Sequence, residues 1–85
     1  MEKEIEKRLI RMMSKQFWLS AETIEKNREQ MLTSSIFKFD ALRMFELMIC
    51  IEREFDIVFL PEDFQEISFR RFDDIVHAIE WRNSH

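Results

Sequence analysis

The chain has 85 residues with no glycine, one proline and one cysteine, Cys50, and carries a net charge of −4. That length makes one domain, residues 1–85, with a single small core and no room for an extended active-site cleft. The lone cysteine excludes an intrachain disulfide and a cysteine-based metal cluster, and the missing glycine disfavours the tight hairpins of an all-β fold.

Ile5, Leu9, Met12, Met13 and Phe17 recur at three- and four-residue intervals among good helix formers, which predicts a first amphipathic helix from about Glu2 to Gln16. The stretch from Ser20 to Ser35 reads as a long connection, pinned by Ile24 and Met31-Leu32 and ending in the polar Thr33-Ser34-Ser35. Asp40 has the carboxylate to cap a helix start, and Leu42, Phe45, Leu47, Ile49, Ile51 and Phe55 follow, predicting a second helix from about Asp40 to Phe55. With Leu42, Leu47, Ile51 and Phe55 turned inward, Met44, Phe45, Met48 and Ile49 exceed one buried stripe, so an exposed apolar ridge is expected. Pro61, Glu62 and Asp63 suit a first helical turn and predict a short helix from Pro61 to Glu66. Ser68 is expected to cap a last helix carrying Phe69, Phe72, Ile75, Val76 and Ile79, with Ile67 stapled onto Phe72 across the cap. Trp18 and Trp81 are expected at the rim of the core. The expected fold is all-α: three main helices and one short one, with a long loop between the first and second.

The charge is unevenly spread. Between Lys38 and Ile67 there are eight acids and three bases, while the remainder is nearly balanced. An acid-rich central third argues against nucleic acid and for a partner with a basic patch. The N-terminal Met1-Glu2-Lys3-Glu4-Ile5-Glu6-Lys7 lacks the apolar stretch of a signal peptide, and no segment approaches the ~20 apolar residues that span a bilayer. A cytoplasmic protein without membrane insertion, monomeric on its own, is therefore expected. Cys50, His77 and His85 do not combine into a nucleophile with a base and an orienting group, so the chain does not read as an enzyme. A lone histidine makes no metal site.

The run Phe37-Lys38-Phe39-Asp40-Ala41-Leu42-Arg43-Met44-Phe45-Glu46-Leu47, continued by Ile51-Glu52-Arg53-Glu54-Phe55-Asp56-Ile57, resembles the modification segment and second helix of acyl and peptidyl carrier proteins. In that family an Asp-Ser-Leu triplet opens the helix, a Glu-Leu pair follows one turn on, and an acidic-Phe ending precedes a loop with a proline. Asp40 and Leu42 match the triplet, Glu46-Leu47 the pair, and Glu54-Phe55-Asp56 with Pro61 the ending. The likeness extends to the first helix, Ile5 to Phe17, and the last, Ile67 to Ile79. It departs at Lys38, where the family has glycine, and at Ala41, which stands at the serine that carries 4'-phosphopantetheine.

The resemblance implies an acyl-carrier-protein-like bundle and a freestanding carrier. Such a protein holds a biosynthetic intermediate as a thioester on the phosphopantetheine arm and presents it to partner enzymes. A serine in the first turn of a helix is a suitable mooring, because a phosphodiester there meets unpaired N–H groups and a favourable helix dipole. The implied attachment frame is Asp40, Ala41 and Leu42, and the implied docking residues are Arg43, Met44, Phe45, Glu46, Met48, Ile49 and Glu52. The implied partners are a phosphopantetheinyl transferase, a cargo-loading ligase or acyltransferase, and downstream biosynthetic enzymes. At Ala41 no arm can attach. Two readings of Ala41 stand: an engineered Ser→Ala that keeps the carrier unmodified, which the intact surroundings favour, or a naturally degenerate, carrier-like adaptor that binds a partner without cargo.

Overall fold

A computed structural model describes residues 2–84. The first helix, α1 (Glu2–Phe17), buries Ile5, Leu9, Met12 and Met13, the positions its periodicity marks, and leaves Lys3, Glu4, Lys7, Arg8, Arg11 and Lys15 exposed. It stops at Trp18, which takes a left-handed conformation, φ 59°. Glycine is the usual occupant of such a helix end, and this chain has none to place there. Trp18 does not sit at the rim of the core as expected: it is 92% exposed.

The stretch read as a loop contains a helix of its own, α2 (Ala21–Lys26). Ser20 caps it by accepting from the Thr23 N–H at 3.0 Å, and Ile24, completely buried, ties it to the core. After α2 the chain runs through a series of turns and is pinned. Met31 forms an isolated antiparallel bridge with Arg71, the Leu32 N–H donates to the Arg70 carbonyl at 2.8 Å, and the Phe39 N–H donates back to the Leu32 carbonyl at 2.9 Å. Arg28 clamps the same segment, with its guanidinium 2.7 Å from both Glu6 and Asp73 and over the Phe72 ring at 5.3 Å.

The third helix, α3 (Ala41–Phe55), buries Leu47, Ile51 and Phe55 and ends at Asp56, left-handed at φ 53°. Leu42, expected to face inward, is 66% exposed. It lies five residues before Leu47, about 140° around the helix at ~100° per residue. A single-turn 3₁₀ helix follows at Pro61–Gln65, where the Asp63 carboxylate accepts from the Leu60 N–H at 2.7 Å and is itself almost fully buried.

The last helix, α4 (Phe72–Ser84), begins later than Ser68 would place it. The bridge from Met31 to Arg71 and the hydrogen bond from the Leu32 N–H to the Arg70 carbonyl engage both arginines outside the helix, so it starts only beyond them. The Asp74 carboxylate then caps the start by accepting from the Arg71 N–H at 3.1 Å. Ser68 does not cap; its hydroxyl donates to that carboxylate at 3.4 Å. Phe69 lies ahead of α4 rather than on it. Its ring stands edge-on to Phe59, with centroids 5.1 Å apart and planes at 89°, and 5.6 Å from Phe64. Ile67, expected to staple across a Ser68 cap, packs half-buried against the core from the same segment.

Helix α1 packs against α2, α3 and α4, and the buried side chains of all of them form one cluster. The molecule is a small all-helical bundle, and no strand occurs among the described residues beyond the single bridge. No helix among the described residues is long and apolar enough to cross a membrane.

Candidate functional site

The segment ahead of α3 alternates buried Phe37, exposed Lys38 and buried Phe39, so two phenyl rings anchor the turn while the residue between them faces solvent. Phe39 stacks at a tilt on Phe17, centroids 5.1 Å apart. Lys38 is left-handed, φ 57°, and its N–H donates to the Ser34 carbonyl at 2.7 Å. Asp40 then caps α3: its Oδ1 accepts from the Arg43 N–H at 2.8 Å, and its carbonyl accepts from the Met44 N–H at 2.9 Å. This places Ala41 as the first residue of the helix, exposed, with its methyl group open to solvent.

Two depressions flank this helix start. One, of about 180 Å³, is lined by Phe17, Leu19, Phe37, Phe39 and the cations Lys38 and Arg43. The other is an apolar groove of about 270 Å³ between α3 and the 3₁₀ helix, lined by Met44, Phe45, Met48, Phe64 and Phe69. Phe64 and Phe69 are absent from the residues the sequence nominated. They lie some twenty residues further on, and Phe69 reads there as part of a helix.

The nominated residues divide into three groups. Leu42, Arg43, Phe45, Glu46 and Ile49 form the outward face of α3, with Phe45 55% exposed. Arg43 and Glu46 approach only to 3.8 Å, both largely in water, so each stays available to another charge. Met44 and Met48 are half-buried; Met44, expected on the exposed ridge, packs against the core and floors the groove. Glu52 is turned to structural use, its Oε2 accepting from the Phe59 N–H at 2.8 Å and fixing the loop that follows α3.

The arrangement can present a side chain at position 41 to solvent and offer an apolar, acid-flanked face to another surface. Ala41 has no nucleophilic oxygen, so a phosphopantetheine arm does not fit this chain as it stands. Cys50 is half-buried and packed against the core, and His77 lies on the exposed side of α4. Compared with family models, curated proteins and solved structures, the chain matches none.

Proposed function

We infer that this chain is a carrier of the acyl or peptidyl type, with an acyl-carrier-protein-like fold, whose attachment position is residue 41 and which as written is an unloadable form. The observation that carries the reading is the geometry around that position: an exposed first residue of α3, directly behind the Asp40 cap, with a left-handed residue at 38. Position 38 is where the carrier family has glycine, and a left-handed residue is the place where glycine is conformationally at ease. The outward face of α3, Leu42, Arg43, Phe45, Glu46 and Ile49, is the docking surface for the loading and downstream enzymes.

Ala41→Ser should turn the protein into a substrate for a phosphopantetheinyl transferase supplied with coenzyme A. Intact-protein mass spectrometry reads the gain of one phosphopantetheinyl group. No gain with several broad-specificity transferases overturns the reading.

Ala41 itself favours a second reading, an adaptor that docks through the same face and never carries cargo. The two separate on the codon at position 41 of the natural gene, serine for the carrier and alanine for the adaptor.

A further inference from the structure

Away from α3, a cavity of about 390 Å³ opens between the end of the 3₁₀ helix and the outer face of α4. Its lining combines buried Ala78 and half-buried Ile67 with the half-buried indole of Trp81, and it carries the carboxylates of Glu66 and Asp74 and the imidazole of His77. No lysine or arginine lines it. Asp74 is partly committed: its Oδ2 takes the Arg71 N–H and the Ser68 hydroxyl, with the Arg71 guanidinium 3.8 Å away. Glu66 is exposed and, among the described residues, has no cationic partner.

The chemistry of this lining selects its ligand. Two carboxylates repel an anion. A bare metal ion would need several ligands converging on one point, and no group of three or more His, Cys, Asp or Glu among the described residues is placed to hold one. A positively charged group on an alkyl stem suits the charged and apolar parts of this lining: Glu66 chiefly, with Asp74 beside it, takes the charge, while the indole, Ile67 and Ala78 line the path of the methylenes.

We propose that this cavity binds an alkylammonium or guanidinium group, on a free organic amine or as a lysine or arginine side chain of another protein. The site is separate from position 41 and stands whether or not the chain is a carrier.

The test uses the full chain carrying Trp18→Phe, which removes the exposed indole and leaves Trp81 as the only one. Amide and indole NMR signals are followed during titration with n-butylammonium chloride and, separately, with a short, terminally blocked peptide whose only charged residue is one lysine. Sodium chloride at matched ionic strength is the reference. Saturable shifts are expected at the Trp81 indole N–H and at the amides of Glu66, Ser68 and His77. Glu66→Gln, at an exposed position, should weaken binding roughly two- to fivefold. Saturation by butylammonium assigns the site to a free amine, and saturation by the peptide alone assigns it to a partner's side chain. The proposal is overturned if neither probe saturates, if sodium chloride reproduces the shifts, or if Glu66→Gln leaves affinity unchanged.

Discussion

At the scale of single residues, the recurrent feature is left-handed backbone at residues other than glycine: Trp18, Lys38 and Asp56. Such a conformation costs a β-carbon-bearing residue roughly 1–2 kcal/mol, least for aspartate. Lys38→Gly removes that strain but gives the unfolded chain more freedom, so a net gain of up to about 1 kcal/mol is expected. A urea midpoint measures it, and a lower midpoint would show that the lysine stem contributes more packing than its backbone loses. Asp40 poses the opposite case, since its carboxylate holds an N–H of the first turn of α3. Asp40→Ala should cost about 1 kcal/mol, whereas Asp40→Asn, which keeps an acceptor, should cost much less. Both effects are read from the same denaturation curve. Lys38 was legible as a departure from glycine, but its φ was not, because conformation at one residue depends on the Phe37 and Phe39 anchors either side.

Among the elements, α3 shows how one helix divides its residues between core and surface. Phe55 is buried and lies under the Arg8 guanidinium at 4.5 Å, so Phe55→Ala should lose about 3–5 kcal/mol. Leu42→Ala, on the opposite face, should stay within about 0.5 kcal/mol. Thermal melts compare the two, and a larger loss at Leu42 would mean that α3 is rotated. The same division decides which charge reversal probes docking. Glu46→Lys leaves the bundle's hydrogen bonds intact and should weaken association with a basic partner most at low salt; calorimetry at two ionic strengths checks this. Glu52→Lys would also break the bond to the Phe59 N–H and so mixes docking with folding. Helices α1 and α3 were legible because their apolar residues repeat over several turns. Helix α2 was not, since six residues with a single buried Ile24 show no period. The start of α4 was misplaced because the bridge between Met31 and Arg71 spans half the chain, and no local pattern around Ser68 encodes it. The groove beside position 41 was half legible: Met44, Phe45 and Met48 could be named from α3, but Phe64 and Phe69 reach it only through the fold.

For the molecule as a whole, Arg28 is the tie between the long connection and the two helices it crosses. Partial burial works against its charge, but hydrogen bonds to Asp73 and Glu6 outweigh that and hold the guanidinium's pKa above its ordinary value. A cation whose folded pKa is raised keeps its proton up to and beyond its unfolded value and loses the associated stability only as pH rises through the folded pKa, so the guanidinium's side of this tie persists across the physiological range and fails in strong alkali. With a third of the side chain still in water, Arg28→Met should cost about 1–2 kcal/mol and speed hydrogen exchange at the Leu32 and Phe39 amides, while the α3 amides change little. Equal acceleration everywhere would mean that the tie is not local. The contact between α1 and α4 has a further, kinetic consequence. More than half the chain lies between these two helices, so their docking closes a long loop whose entropy must be met before its packing is gained. Substitutions such as Leu9→Ala or Ile75→Ala should therefore slow refolding if that interface forms in the transition state, and those in the 3₁₀ helix should chiefly speed unfolding. During synthesis, α1 and α3 would leave the ribosome before α4 and wait, with their shared apolar surface uncovered, for the last helix to emerge.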